Sequence, residues 1–310
     1  MRVKLDPLFE YRNCPNCGQN DFIVLFNSNM KQDDFQEGVE TVYMLPGGKY
    51  GRHVKCRNCH LIYVNPIEKG SKINEDYSQR KSVDASIIRE SRLRATKSQV
   101  ELIKRYKKGT NLLDIGCGEA FFLFNASKAG YVAKGIELSQ DAAAYAKSEF
   151  GLNVETKPLE ELQLPENHFD VVTLWVVLEH VPHPLTILKE VHRILKPGGL
   201  LAVSTPNIGS VLAKTLGKRW WEIRRVHINQ FTTKSLMDIL KNAEFKNVSS
   251  VCYKEFISLL YLFIPILKYL KLYEKVKTSL LPDSVLGRIM NKIMLLYPSK
   301  LNYSAVIAFK

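Results

Sequence analysis

Apolar positions along the chain fall into two patterns, which predict helices and strands in succession. Residues 82–107 carry apolar side chains at three- and four-residue spacing, as an amphipathic helix requires. Residues 111–115 form a short apolar run, which is typical of a buried strand. A second helix is predicted over 120–129, where Gly130 ends it, and a second strand over 131–136. This alternation predicts an α/β fold of the doubly wound kind.

The last apolar segment, residues 255–300, is rich in Leu, Ile, Tyr and Phe and is bordered by lysines. Its uncharged run at residues 256–267 has 12 residues and contains Pro265, whereas a membrane span needs about 20 apolar residues. Helices with apolar faces and basic rims bind membrane interfaces, and a lid over the sheet or a dimer surface are the alternatives. The amount of apolar area beside lysines favours contact with a membrane or a lipid-linked substrate.

Composition and charge limit the class of protein further. The chain has 310 residues, 45% hydrophobic and 24% charged, which excludes wholesale disorder, collagen-like repeats and a polytopic membrane protein. Residues 201–310 hold 17 Lys and Arg against 6 Asp and Glu and so carry +11 of the net charge of +13. An anionic partner near this part is expected. The N-terminus shows no apolar signal segment, which predicts a cytoplasmic protein, peripheral at the inner face of the membrane if residues 255–300 bind lipid.

Four of the six cysteines form two Cys-x-x-Cys pairs, Cys14 with Cys17 and Cys56 with Cys59. Two such pairs supply four thiolates, the donor set of a closed tetrahedral zinc site. We therefore predict a zinc ribbon over residues 1–68. Its metal is expected to be structural, because so small a lobe buries too little core to fold alone. Reduced cysteines without a metal are the alternative.

A Gly-x-Gly turn formed by Gly116, Cys117 and Gly118 follows the first predicted strand of the α/β part. Glycines let the backbone approach a bound ligand closely. Glu137 ends the second predicted strand, 23 residues after Asp114, where a carboxylate commonly binds ribose hydroxyls. The turn and this acid together predict a site for a nucleoside-containing cofactor.

The acidic residues around the turn select the class of cofactor. Asp114 lies before the first glycine and Glu119 opens the next helix, so both would repel a pyrophosphate. The Gly-x-Gly-x-x-Gly pattern of dinucleotide sites is also missing from this turn. A sulfonium with an α-ammonium group is cationic and suits these carboxylates. The charge pattern predicts S-adenosylmethionine rather than NAD, and a solvated strand-end cap is the alternative role for Asp114.

These residues resemble the class I S-adenosylmethionine-dependent methyltransferases over residues 82–255 and the last strand. The run Leu-Leu-Asp114-Ile-Gly-Cys-Gly is similar to the cofactor loop of that family, and Glu137 to its ribose acid. Residues 169–182 resemble its fourth strand and active-site tail, and residues 195–207 its fifth strand. The Leu-Glu-His-Val run is especially like ubiquinone-pathway O-methyltransferases. The added ribbon resembles bacterial methyltransferases of cell-surface polysaccharide and lipid pathways.

The resemblance implies a seven-stranded Rossmann-like sheet of order 3-2-1-4-5-7-6 with helices on both faces. The core would comprise residues 69–254 and 301–310, with 255–300 as a helical insertion. The cofactor-binding residues that the resemblance implies are Asp114, Gly116, Cys117, Gly118, Glu137, Leu138, Leu159 and Trp175.

Three positions depart from the family pattern. Ala120 replaces the third glycine of the loop and narrows the pocket. Pro158 stands where the family often has an Asp that meets adenine, which leaves recognition there to the Leu159 backbone. Val176 replaces a Glu that ubiquinone-pathway enzymes use for a divalent ion, and this weighs against a catalytic metal.

Glu179 and His180 are the candidate catalytic residues. The usual pKa of His is near 6.5, which suits a base for a phenolic or sugar hydroxyl, with Glu179 orienting it or binding the acceptor. A cap on the next helix and a pocket-lining imidazole are the alternative roles.

The function that we expect is O-methylation of a sugar, a lipid-linked intermediate or a quinone-like precursor. An RNA methyltransferase and a non-catalytic S-adenosylmethionine-binding scaffold are alternatives. Nucleic acid is disfavoured because strand four lacks the Asn/Asp-Pro-Pro-Tyr loop and the ribbon has few aromatic residues for base stacking.

Overall fold

A computed structural model of the protein describes residues 8–30, 49–80, 85–107, 109–258, 267, 272–280 and 284–310. The strands in these ranges are β1 (Phe9–Glu10), β2 (Phe22–Phe26), β3 (His53–Cys56), β4 (Ile62–Val64), β5 (Ile67–Glu68), β6 (Asn111–Ile115), β7 (Val132–Ile136), β8 (Val154–Glu155), β9 (Phe169–Trp175), β10 (Leu195–Pro206), β11 (Asn229–Gln230), β12 (Lys246–Val251), β13 (Lys254–Ser258), β14 (Met294–Pro298) and β15 (Tyr303–Phe309). The α-helices are α1 (Gly70–Ser78), α2 (Ala85–Tyr106), α3 (Phe121–Lys128), α4 (Gln140–Phe150), α5 (Pro184–Ile194), α6 (Val211–Leu216), α7 (Thr233–Asn242), Tyr273–Val276 and Val285–Lys292.

The main sheet has seven strands in the order β8-β7-β6-β9-β10-β15-β12. Counted along the chain within this sheet, that order is 3-2-1-4-5-7-6, so the predicted topology is confirmed. The strand β15 is antiparallel to both of its neighbours, whereas the pairs from β8 to β10 are parallel. The carboxyl ends of β6, β7, β9 and β10 therefore share one edge, where ligands bind in open α/β sheets.

Helices cover both faces of this sheet because its strands alternate their side chains between two apolar clusters. On one face, Val172 and Leu174 of β9 pack in a cluster with α5 and α7. On the other face, Val171 packs with α2 and α3, through residues such as Ile103 and Phe122. The helix predicted over 82–107 is confirmed as α2 in its described part.

The cysteine pairs lie beside a separate small sheet of order β11-β4-β3-β2, in which Cys56 ends β3. Three of these strands come from the N-terminal 68 residues, as a ribbon requires. The fourth, β11, follows the fifth strand of the main sheet in the chain and belongs to the residues predicted as core, 69–254. A two-residue strand that pairs with a distant segment leaves no periodic pattern in the sequence, so the pairing of β11 with β4 could not be predicted. The proposed division into 1–68, 69–254 with 301–310, and 255–300 stays a prediction.

The segment before the last strand combines helices with an antiparallel pair of strands, β13 with β14, which the sequence analysis did not predict. The predicted apolar run at 256–267 lies largely outside the described residues, as do Lys268 and Lys271. Within the described part of the chain, no helix has the length and apolarity that crossing a bilayer requires.

Candidate active site and cysteine cluster

A cavity of about 550 Å³ opens at the carboxyl ends of β6, β7 and β9. The structure brings every predicted cofactor residue and His180 to this one cavity, whereas Glu179 is not among its lining residues. The predicted residues that line it are Asp114, Gly116, Cys117, Gly118, Glu137, Leu138, Leu159, Trp175 and His180.

Both glycines of the Gly-x-Gly turn have a positive φ, which favours glycine. Gly116 has φ +69, and a Cβ built on it would lie 2.6 Å from Cγ2 of Val177. The amides of Gly116 and Cys117 both donate to the carbonyl of Ile136, at 2.7 and 3.0 Å. These bonds hold the turn against the end of β7, so a side chain at Gly116 would displace either the turn or Val177.

Glu137 is fixed beside the turn by two backbone hydrogen bonds. Its Oε2 accepts from the amide of Gly118 at 2.9 Å, and its Oε1 accepts from the amide of Ser139 at 2.9 Å. Ser139 in turn caps α4 by accepting from the amide of Ala142 at 3.1 Å. Each carboxylate oxygen keeps a second lone pair, so Glu137 can still accept hydrogen bonds from a ribose diol.

Asp114 is a buried acid at the end of β6, with 2% of its surface exposed. Burial raises its pKa to about 7, and the nearby Glu137 charge adds to this effect. The hydroxyl of Thr173 opposes the shift, because it donates to Oδ1 of Asp114 at 2.7 Å and stabilises the charged form. A cationic ligand would favour the ionised carboxylate, so this position fits a sulfonium compound with an ammonium group.

His180 lies across the cavity, where the hydrogen bonds of its ring assign one tautomer. Its Nδ1 lies 2.8 Å from the carbonyl oxygen of Val226 and 2.6 Å from the hydroxyl of Tyr77. A carbonyl only accepts, so we assign the ring proton to Nδ1, which leaves Nε2 with a free lone pair. Burial, together with the charge of Arg224, lowers the pKa of His180 to about 3. The imidazole is therefore neutral at pH 7.

Glu179 lies behind the cavity wall and is 1% exposed. Neither of its carboxylate oxygens has a hydrogen-bond partner on another described residue, and Oε1 lies 3.9 Å from Nε2 of His180. Burial raises the pKa of Glu179 well above its usual value. This position does not support direct contact between Glu179 and an acceptor, and it leaves an influence on His180 as the open role.

The divalent ion of the ubiquinone-pathway enzymes does not fit the residues present. Val176, at φ +60, occupies the position of the missing Glu. Ligand atoms of Glu179, His180 and His227 do come within 4.8 Å of one another. However, Nδ1 of His227 lies 2.9 Å from the carbonyl of Glu222, and its Nε2 accepts from Arg224 at 2.9 and 3.1 Å. Both ring nitrogens are thus engaged, and a guanidinium already supplies positive charge there.

The four predicted cysteine ligands do converge. Sγ of Cys14 lies 3.4 Å from Sγ of Cys59, Cys17 and Cys56 are 3.5 Å apart, and all four sulfur atoms fall within 4.8 Å of one another. A tetrahedron with Zn–S bonds of about 2.3 Å has S···S edges of about 3.8 Å. The four cysteines form no disulfide, and their S···S distances are close to these edges, so they fit one tetrahedral ion.

Several cavity residues escaped the sequence analysis because no local motif marks them. Tyr77 comes from α1, Arg224 from the segment before β11, and Tyr253 and Glu255 follow β12. The ring of Tyr253 meets that of Trp175 at 5.7 Å. Of these residues, Arg224 alone lies in a dense aromatic and cationic stretch, at residues 220–227.

Comparison with known proteins finds ubiquinone biosynthesis O-methyltransferases among the relatives of this chain. The chain is 31% identical over 126 residues to a ubiquinone biosynthesis O-methyltransferase of Coxiella burnetii, covering 39% of this chain and 52% of that protein. It is 35% identical over 118 residues to the enzyme of the same name from Hydrogenovibrio crunogenus, covering 35% and 48%. The chain thus spans about half the length of the curated relatives that it matches.

A solved S-adenosylmethionine-dependent methyltransferase from Archaeoglobus fulgidus superposes with a TM-score of 0.49 at 23% identity, covering 73% of this chain and 97% of that one. Residues 87–250, more than half of the chain, match the family model described as a methyltransferase domain. With the sheet order and the cofactor turn described above, this match shows that the chain belongs to the class I S-adenosylmethionine-dependent methyltransferases.

Proposed function

We propose that this chain transfers a methyl group from S-adenosylmethionine to a hydroxyl of a small-molecule acceptor. The observation that carries the proposal is one cavity with two acids, Asp114 and Glu137, on one side and a neutral imidazole, His180, on the other. The acids suit a cationic nucleoside, and the imidazole suits a hydroxyl that must lose its proton.

The cofactor side would be formed by the predicted residues. Glu137 would accept from the ribose hydroxyls and Asp114 would face the ammonium group, while the backbone at Gly116–Gly118 allows close approach. Leu138 and Leu159 would bound the adenine, and Trp175 would close the wall toward the acceptor. When bound, S-adenosylmethionine supplies an electrophilic methyl group on an excellent leaving group.

The acceptor side has to align a hydroxyl and take its proton. In our proposal Nε2 of His180 accepts that proton, and the Val226 carbonyl and the Tyr77 hydroxyl hold the ring through Nδ1. The lowered pKa of His180 makes its imidazole a weaker base than an ordinary histidine, so the hydroxyl that it deprotonates should be acidic, as in a phenol, whose usual pKa is near 10, rather than in a sugar. The site therefore favours a quinone-like, phenolic acceptor over a sugar, in keeping with the activity named for the ubiquinone relatives.

Two further parts of the proposal concern the periphery. We propose that the four cysteines bind a structural zinc ion. We also propose that residues 255–300 bring the protein, in the cytoplasm, to a membrane surface or a lipid-linked, anionic acceptor. Helix Val285–Lys292 supports this, because Val285, Leu286 and Ile289 on it are 68%, 48% and 51% exposed.

Incubating the protein with trideuteromethyl S-adenosylmethionine and cell extract should give a mass-labelled product by mass spectrometry. The variant His180→Gln is expected to keep its affinity for S-adenosylhomocysteine and to lose about a hundredfold or more in transfer rate, because general-base catalysis supplies about that factor. His192→Gln, on the partly exposed face of α5, is the matched control and should keep the rate. Cofactor binding without any labelled product would favour the non-catalytic scaffold. An unchanged rate in His180→Gln would show that His180 is not the base.

A further inference from the structure

The active-site turn at residues 178–182 is stabilised mainly by hydrogen bonds from residues that lie outside the turn. Within the turn, the amide of His180 donates to Val177 at 2.9 Å, and the amide of Val181 reaches Leu178 only at 3.4 Å. The carbonyl oxygens of the turn point instead toward β11, which is part of the cysteine-cluster sheet through pairing of Asn229 with Tyr63.

Asn229 satisfies three of these carbonyl groups. Its backbone amide donates to the carbonyl of Glu179 at 3.0 Å. Its side-chain Nδ2 donates to the carbonyl of Leu178 at 3.0 Å and to that of Val181 at 2.7 Å. One fully buried residue thus binds the backbone on both sides of His180.

Arg12 links the first cysteine pair to the same turn and to Asn229. It lies two residues before Cys14 and is 9% exposed. Its Nη1 donates to the carbonyl of Pro182 at 2.7 Å, and its Nη2 donates to Oδ1 of Asn229 at 3.0 Å and to the carbonyl of Ile228 at 2.8 Å. Its Nε donates to the carbonyl of Val64 in β4 at 3.2 Å. A planar guanidinium suits this fork of acceptors, whereas an ammonium group does not.

We propose that Arg12 and Asn229 are positioning residues that fix the active-site turn, and with it the imidazole of His180, to the cysteine-cluster lobe. By this lobe we mean the four cysteines and the small sheet of β2, β3, β4 and β11 beside them. This inference rests on the proposed role of His180 in methyl transfer. The lobe is then a wall of the active site rather than an appendage. Unfolding around the four cysteines would break the hydrogen bonds of Asn229 and Arg12 and so release the turn that positions His180.

The lobe also contacts the core at a second place, which provides a control. Nδ2 of Asn242, at the end of α7, donates to Oδ1 of Asn16 at 2.8 Å. This bond joins α7 of the core to the first cysteine pair and does not involve residues 178–182. Its loss should weaken docking and leave the turn unchanged.

The test compares Asn229→Asp, Arg12→Lys and the control Asn242→Asp in the full chain with its native metal content. Asn229→Asp keeps the acceptor for Arg12 but removes both side-chain donors to the turn. Two measurements are made on each variant: amide hydrogen exchange over residues 177–183, and the ¹⁵N spectrum of labelled histidine, assigned with His180→Gln. Wild type and Asn242→Asp should show slow exchange and one neutral tautomer with the proton on Nδ1.

In Asn229→Asp and Arg12→Lys, exchange over 177–183 should accelerate by about tenfold or more, and by more than exchange in the main sheet, and His180 should show both tautomers. Exchange and histidine spectra equal to wild type in both variants would overturn the proposal. If one variant does not fold, the other decides. Neither measurement needs an acceptor, so failure of the proposed function, seen as no methyl transfer, is distinguishable from failure of this inference.

Discussion

Lowering the pH from 7 to 5 is expected to weaken S-adenosylmethionine binding by about fiftyfold, because Asp114 becomes protonated. Burial raises the pKa of this acid to about 7 in the ligand-free protein. The cationic ligand favours the ionised carboxylate, so the apparent affinity falls as pH drops through the pKa, by about tenfold per unit well below it. The sulfonium stays charged throughout, so the titration reports on the protein. Calorimetric titrations at several pH values measure the effect.

Two variants identify Asp114 as the source of this pH dependence. Asp114→Asn should bind weakly at every pH and give a flat profile. Thr173→Val removes the hydroxyl that stabilises the carboxylate and should move the midpoint to higher pH. A wild-type affinity that does not change with pH, or a slope that survives in Asp114→Asn, would contradict the assignment of Asp114 to the cationic part of the ligand.

Replacing Cys56 with serine is expected to unfold the cysteine-cluster lobe before the methyltransferase core. The reason is that metal binding supplies about 10–16 kcal/mol in comparable zinc peptides, more than a small lobe gains from burial. Metal analysis should find one zinc ion per chain in wild type and none in Cys56→Ser. Limited proteolysis should then cut the N-terminal 68 residues first.

The control is Cys252→Ser, since Cys252 is exposed and lies outside the cluster. This variant should keep the metal and the wild-type melting temperature. Chelation of wild type should reproduce the Cys56→Ser result. A protein that purifies without metal and has the same melting temperature in both cysteine variants would show that the four thiols serve only as a packed core.

Local sequence patterns predicted the alternating strands and helices and three features of the cofactor side, whereas the strand order came from the family resemblance. The glycine turn, Asp114 and Glu137 lie at strand ends, and parallel topology alone brings strand ends together. The acceptor side depends on contacts between distant segments. Tyr77 and His180 are 103 residues apart, and Arg12 and Pro182 are 170 apart. No periodicity or spacing records such contacts, so these residues could not be predicted.

Residues that are adjacent in sequence can take different positions at a site. Glu179 and His180 are adjacent and were predicted together, yet only His180 lines the cavity. In the turn after β9 consecutive side chains point in different directions, and Glu179 turns into the protein, where it is buried. Val176, the residue directly after β9, has a left-handed backbone conformation with φ +60.

The most direct test of the whole account is a calorimetric titration of S-adenosylhomocysteine into wild type, Glu137→Gln and Glu155→Gln. Glutamine at 137 would place an amide donor against the amides of Gly118 or Ser139 and lose a ribose acceptor. We predict one binding site per wild-type chain, an affinity at least about tenfold weaker in Glu137→Gln, and no change for exposed Glu155→Gln. No binding to wild type, or equal affinity in Glu137→Gln, would contradict the assignment of this cavity to S-adenosylmethionine.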